Sequence, residues 1–311
     1  ESDHLPTMPA VAKQLLAISE WDSVDVREIA GIISKDVSLS SKILRTVNSP
    51  FYGLPQKIST LSQALVVLGL RATRSLTLSF CLVGMQPKGR KSQFNWPEFW
   101  IRSLNTAVTA RELALVSGLR SDEEAFLSGL IQDVGMMVLR LCVPDTYQEI
   151  LASSKDEDSL VEIEKEYLGL DHVEAASLIL EKWNMPASLC VPILYHHSPE
   201  KAKGGDEETL LSIRIQHIAG RVGALLYASN SHGSSLEKIE ALTQTYLNMD
   251  AQTLEALLYR VDMRMEETAG LFELNLQRPN TYAKLLEKVQ CTVGDIITEQ
   301  ERLLRELEAS K

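Results

Sequence analysis

Gly129-Leu130-Ile131-Gln132-Asp133-Val134-Gly135 is the stretch on which the reading of this chain turns. In a helix running from Glu123 to Leu141, the positions Phe126, Gly129, Leu130, Asp133, Met136 and Met137 share one face, so Asp133 falls on the core-facing stripe. An isolated buried carboxylate is costly, and Asp133 therefore requires a partner. Candidates are His172 and the adjacent pair His196-His197. Asp171 and Glu174 stand at capping-box spacing, which puts His172 in a first helical turn, where the positive end of the helix dipole favours the neutral, metal-binding imidazole. His196 and His197 close another helix just before Pro199. Neighbours on a helix point about 100° apart, so the two can face one centre only near an end where the backbone adjusts. One aspartate and three histidines from three helices suit a borderline metal, yet a glutamine, Gln132, stands where a further ligating histidine would precede the aspartate. Lone histidines on apolar helix faces are more often hydrogen-bonded core residues than ligands, so both readings stay open. His4, His217 and His232 have no supporting context.

Working outward, the periodicity is helical throughout. Ile29, Ile32, Ile33, Leu39, Ile43, Leu44 and Val47 recur at helical intervals, with a break at Asp36 and Ser38, an N-cap at Ser23 and a stop at Asn48-Ser49-Pro50. Further helices are predicted over 58–70, 71–83, 97–117, 123–141, 160–167, 171–183, 187–197, 210–227 and 236–265. Nothing alternates with period two for long enough to propose a sheet, so the fold class is all-α. Linkers at 86–95 and 198–208, rich in glycine and charge, punctuate the chain. The predicted organisation is an N-terminal helical part (1–90), a helical core (91–232) and a C-terminal helical extension (233–311).

Composition excludes several classes. The chain has 311 residues, 45% hydrophobic and 23% charged, which describes an ordinary globular protein. No run reaches the roughly 18 apolar residues of a membrane helix, so no membrane association is expected and the default location is the cytoplasm. Cys81, Cys142, Cys190 and Cys291 form no C-x-x-C pair, so reduced, mostly buried thiols are expected. The formal charge of −11 opposes nucleic-acid binding, and Lys88, Arg90 and Lys91, the one tight basic cluster, read as a solvated loop.

The last segment differs in kind. Tyr282, Leu286, Val289, Val293, Ile296, Gln300, Leu303 and Leu307 are spaced alternately by four and three, the heptad pattern of a coiled-coil seam. Gln300 is its one polar member. Ile297 and Leu304 widen the stripe enough to allow a single amphipathic helix folded on the body instead.

Beyond these patterns the chain resembles the HDOD family, the bacterial HD-related output domains. The resemblance rests on Leu5-Pro6-Thr7-Met8-Pro9, on Ile32 through Leu39, and on Leu44-Arg45-Thr46-Val47-Asn48-Ser49-Pro50-Phe51-Tyr52-Gly53. Ile58-Ser59-Thr60-Leu61, Ala64, Leu68-Gly69, Phe99-Trp100 with Ser103, Gly129 to Gly135, and His172 with Trp183 and Pro186 extend it to about residues 5 to 200. It implies an HD-like helical bundle related to metal-dependent phosphohydrolases, with the metal site incomplete. By that likeness Arg102 stands at the first histidine ligand, Gln132 at the histidine of the His-Asp doublet, and Gly220 near a late aspartate. Asp133, His172, His196 and His197 correspond to ligands that remain.

The resemblance implies a non-catalytic bacterial signal-transduction module that docks a protein partner or relays a signal to an attached output domain such as a GGDEF domain or a kinase, and the heptads allow a homodimer through the C-terminal helix. The expected cofactor is none. The competing expectation is a phosphohydrolase acting on a nucleotide or cyclic dinucleotide with one divalent metal ion on Asp133, His172, His196 and His197. Arg102 is expected either to pair with Asp133, directly or through Gln132, as the cation that balances the carboxylate, or to lie on the outer face of its helix.

Overall fold

The computed structural model describes residues 8–18, 24–49, 54–85, 95–227 and 236–276, and among them it is helical with no strand. The helices are α1 (Ala10–Leu16), α2 (Val26–Ile33), α3 (Val37–Val47), α4 (Leu61–Leu68), α5 (Leu70–Val83), α6 (Trp96–Ser117), α7 (Asp122–Ile131), α8 (Val134–Cys142), α9 (Pro144–Ser153), α10 (Glu157–Leu168), α11 (His172–Lys182), α12 (Ala187–Leu194), α13 (Glu207–Tyr227), α14 (Leu236–Leu247) and α15 (Ala251–Leu271), with a 3₁₀ turn at Pro199–Lys201. The all-α class read from periodicity is the observed one. The heptad seam from Tyr282 to Leu307, the cluster Lys88, Arg90 and Lys91, and His4 and His232 lie outside the described residues.

Local signals set most boundaries, and several differ from those expected. Helix α2 is capped by Asp25, whose side chain accepts from the Arg27 amide at 2.8 Å, rather than by Ser23. Asp36 caps α3 in the same way through the Leu39 amide at 3.0 Å. The single helix expected over 123–141 is two, α7 and α8, parted at Gln132-Asp133. The one expected over 236–265 divides where Asn248 takes a positive φ of 52°. Helix α9, which begins on Pro144, was not foreseen. Between α4 and α5 the chain bends by 114° at Gly69, whose φ of 78° is open to glycine at no steric cost.

Helix α6 is the axis of the molecule, with Trp100, Leu104, Ala107, Val108 and Leu113 buried among α7, α13 and α15. Glycines let the neighbours approach. A Cβ on Gly129 would stand 3.0 Å from the Ala107 Cα, and one on Gly223 would stand 2.3 Å from Thr106 Oγ1. A single apolar cluster extends from Met8 to Phe272, so the three segments read from the sequence share one core. Phe272, at the end of α15, stacks at 4.5 Å on Phe80 and at 6.4 Å on Phe126. Next to it Glu273 pairs with Arg45 at 2.8 Å and Lys42 at 3.5 Å, tying the end of α15 to α3. A smaller cluster of Met136, Leu139, Tyr147, Ile150, Leu160 and Ala175 supports the helices around α8. The stretch Asp122–Cys142 is long and apolar enough to cross a membrane, but 89% of its apolar window is buried inside the protein. Among the described residues Cys142 is exposed and Cys81 and Cys190 are partly buried, so these thiols are less buried than expected; Cys291 lies outside the described residues.

The motif that ends at Asn48 has a structural role. The Asn48 amide donates to the carbonyls of Leu44 at 2.7 Å and Ile58 at 2.8 Å, and its oxygen accepts from the Ile58 amide at 2.8 Å. These bonds pin both ends of the α3–α4 connection. Asn48→Ala removes all three and is expected to cost about 2–3 kcal/mol, read as a lower urea midpoint. A change under about 0.5 kcal/mol would remove this role.

Candidate functional site

Five of the residues singled out in the sequence, Arg102, Asp133, His172, His196 and His197, come together where α6, the α7–α8 break, α11 and the end of α12 meet. The break explains the position of Asp133. Its φ of −95° and ψ of 15° put it at the N-cap of α8, and its side chain makes no capping bond, which leaves both oxygens for other partners. Oδ2 lies 3.2 Å from Arg102 Nη2, and Oδ1 lies 3.7 Å from His196 Nε2. The expected arginine contact is thus direct. Gln132 takes no part in it and instead meets α13, where a Cβ on Gly220 would come within 2.4 Å of Gln132 Nε2.

The capping box is present as expected: Asp171 accepts from the Glu174 amide at 2.8 Å and Glu174 from the Asp171 amide at 3.0 Å, which fixes His172 as the first residue of α11. Helix α12 stops at Leu194, and His196 and His197 follow in the irregular backbone beyond it, so the two rings escape helical divergence. His172 Nε2 and His197 Nε2 are 2.9 Å apart. His196 Nδ1 donates to the Ile193 carbonyl at 2.6 Å, which leaves Nε2 with its lone pair buried and without a hydrogen-bond partner.

Several participants were not read from the sequence. Glu164 of α10, fully buried, accepts from the His172 amide at 2.8 Å, faces His172 Nδ1 at 2.7 Å and accepts from Tyr147 Oη at 2.6 Å. Glu157, one helical turn before Leu160, accepts from Arg102 at 2.7 Å. His217 faces the His196 carbonyl at 2.6 Å. Arg221 holds Asp158 with both terminal nitrogens, at 3.1 and 2.5 Å. The available signal was the placement of Glu157 and Glu164 on the same face of α10 as Leu160, three and four residues from it.

The electrostatics follow from these contacts. Burial would raise the Asp133 carboxyl, but Arg102, His196 and His172 outweigh it and hold it below the ordinary carboxylate range. Glu157 is raised, because burial and then Asp133 exceed the help of Arg102. Burial opposes a charge on His172, yet the Glu164 hydrogen bond and charge, with Asp133 and Asp171, raise its pKa. The preference for the neutral imidazole expected from the helix dipole is therefore opposed by Glu164. Burial, reinforced by the positive charge of His172 and opposed by Asp133, pushes His196 down to about 4.

The last shift makes a prediction. A histidine whose folded pKa lies below its unfolded value contributes stability that is fully present above about pH 6.5 and is lost as pH falls toward 4. The contribution is about 3 kcal/mol. His196→Asn, which retains a donor for the Ile193 carbonyl, is expected to flatten this part of the urea-stability profile between pH 7 and 4.5. Parallel profiles for the two proteins would contradict the assignment.

The donor set can be tested against metal ions. Among the described residues, His172, His196 and His197 present ligand atoms that lie within 4.8 Å of one another. With the orphaned His196 Nε2, they fit one ion. The surroundings of Asp133 do not fit a second, because the Arg102 guanidinium already lies against its carboxylate.

Comparison with known proteins shows the family and the fold. The family model of the HDOD domain matches residues 5–199. An uncharacterized protein of Treponema pallidum (strain Nichols) is 24% identical over 209 residues, 65% of this chain, and the chain spans about 40% of the length of that curated relative. A crystal structure from Geobacter sulfurreducens, an HDOD domain protein with unknown function, superposes with a TM-score of 0.69 at 22% identity, covering 88% of this chain and 95% of that one. A second, from Shewanella amazonensis SB2B and named "Putative phosphohydrolase", has a TM-score of 0.64 at 22% identity, covering 91% and 96%. At these identities the two structures show the shared fold.

Proposed function

Because this chain belongs to the HDOD family, an HD-related and signalling-associated domain, we propose that it is a non-catalytic cytoplasmic signalling module that docks a protein partner or an attached output domain, such as a GGDEF domain or a kinase. The observation that carries this reading is the guanidinium of Arg102 bridging Asp133 at 3.2 Å and Glu157 at 2.7 Å. Metal-assisted hydrolysis of a phosphate ester needs cations that coordinate both water and phosphate oxygens and so generate hydroxide at neutral pH. A guanidinium balances the same negative charge but has no vacant orbital with which to acidify water. It also cannot give up its own proton, since Asp133 and Glu157 outweigh the burial that opposes its charge and raise its pKa. Around Asp133 and Glu157 the guanidinium thus balances charge as a metal ion would, without supplying its chemistry.

The test is turnover. Purified protein supplied with Mn²⁺, Fe²⁺ or Zn²⁺ is expected to hydrolyse neither bis(p-nitrophenyl) phosphate nor a cyclic dinucleotide above the rate in buffer. Hydrolysis that disappears in His196→Ala would overturn the reading. For relay, the seam Tyr282 to Leu307 would pair two copies, so sedimentation is expected to give a dimer for the full chain and a monomer without residues 280 to 311. Monomers in both cases would remove the dimer.

A further inference from the structure

We propose that His172, His196 and His197 together hold a single divalent ion of the zinc class through three imidazole nitrogens, with Arg102 as the fixed second cation that keeps Asp133 out of the ligand set. The inference rests on the same arginine as the proposed function, but its readout is ion binding rather than turnover.

Two of the rings are held in the orientation such a site needs. Glu164 faces His172 Nδ1 at 2.7 Å and the Ile193 carbonyl faces His196 Nδ1 at 2.6 Å, so each ring presents its Nε2 to the centre. A ligating histidine whose other nitrogen donates to a carboxylate or carbonyl has its tautomer and ring direction fixed before the ion arrives. Glu164 is itself held by the His172 amide and by Tyr147, and it is completely buried, so this support is rigid.

The spacing is also suitable. Tetrahedral coordination at about 2.0–2.1 Å places neighbouring nitrogens roughly 3.3 Å apart. His172 Nε2 and His197 Nε2 stand at 2.9 Å, and all three ligand atoms fall within 4.8 Å of one another, so the widest pair closes by up to about 1.5 Å around an ion, a movement open to His196 and His197 in the backbone beyond α12. His196 Nε2 is buried with no hydrogen-bond partner, a condition that a coordinated ion relieves. Neutral nitrogen donors favour Zn²⁺, Co²⁺ or Ni²⁺ over Mg²⁺ or Ca²⁺, which require oxygen ligands. Asp133 would supply that oxygen and lies beside the cluster, its Oδ1 3.7 Å from His196 Nε2, but Arg102 engages its Oδ2 at 3.2 Å and balances its charge in place of an ion.

The experiment is titration of chelator-treated full chain with Co²⁺, followed by visible absorption and by metal content after desalting. The expected result is one ion per chain with the intense absorption of tetrahedral Co²⁺, displaced by Zn²⁺ and not by Mg²⁺. His197→Ala and His197→Gln, each checked for helicity by circular dichroism, are expected to weaken binding at least tenfold. Glu164 acts as a positioning residue, and Glu164→Gln is expected to weaken binding about tenfold with the same spectrum. Asp133→Asn is expected to leave affinity within about twofold. Absence of saturable binding, two ions per chain, or a loss in Asp133→Asn as large as that in His197→Ala would each overturn the proposal. None of these outcomes is read from turnover: an ion on three histidines keeps a fourth position open to water, so hydrolysis that accompanies ion binding would overturn the proposed function alone, and absence of binding would overturn this proposal alone.

Discussion

Gly135→Ala is expected to prevent stable folding. A Cβ at this position would stand 1.7 Å from the His172 carbonyl oxygen, 2.7 Å from the His172 carbonyl carbon and 2.8 Å from the Ala176 amide nitrogen. All three are backbone atoms, so no side chain can rotate to make room, and α8 must move away from α11 along their whole contact. The Glu164–His172 link and the buried face of α11, including Ala175, Ala176, Ile179 and Leu180, would move with it. We expect a loss of about 4 kcal/mol or more, at the severe end for a single substitution, and a fall in Tm of roughly 8–16 °C or inclusion-body expression. Gly31→Ala is the control. Gly31 lies inside α2 with nothing within 4 Å of the added carbon, and there alanine is expected to stabilise by about 0.5–1 kcal/mol through its helix propensity. Similar melting temperatures for Gly135→Ala and the wild type would sink the close-approach argument.

Arg102→Met has the second-largest expected effect, and it depends on pH. The substitution keeps the unbranched stem as far as the position of Nε and removes the cation between Asp133 and Glu157, whose side chains are 5% and 12% exposed. Breaking a buried ion pair from one side costs about 3–5 kcal/mol at neutral pH, because the partners stay buried without compensation. The sign of the pH dependence follows from the carboxyls. Without Arg102 the folded-state pKa values of both exceed their unfolded values, so the variant is relatively most stable below about pH 4 and loses stability as pH rises through the raised values. Glu157, already raised in the wild type, takes up its proton first. Urea unfolding at pH 7 and at pH 4.5 should therefore show a large difference between the two proteins that shrinks at the lower pH. A difference below about 1 kcal/mol at pH 7, or one that does not change with pH, would show that Arg102 carries no such charge balance.

The largest structural effect therefore belongs to Gly135, and the site is held by Arg102 and Glu164 as much as by its histidines. Of these, Gly135 and Arg102 were visible in the sequence, the first as the end of a motif and the second through the family resemblance. Neither showed its physical role there. Gly135 matters because of a backbone 37 residues later in the chain, at His172. Glu164 and Glu157 escaped notice because α10 is rich in acidic residues, and only packing distinguishes the two that turn inward. The break at Gln132-Asp133 escaped for a related reason. The residues around it keep a helical period with no proline, and the divergence of α7 and α8 is decided by the helices they pack against.

What the sequence by itself determined is local. The all-α class and the Asp171–Glu174 capping box that starts α11 follow from spacings of three and four residues, and the family resemblance rests on short motifs. Side chains that close in the chain share a face whatever the rest of the protein does. Tertiary structure alone decided which charges meet. The pairing of Arg102 with Asp133 and Glu157, 31 and 55 positions away, the contact of Glu164 with His172 on the next helix, and the meeting of Asp133 with the histidines all depend on how separate helices pack. At such separations the energy of an interaction depends on distance and burial in the packed core, and neither quantity is encoded in the local pattern.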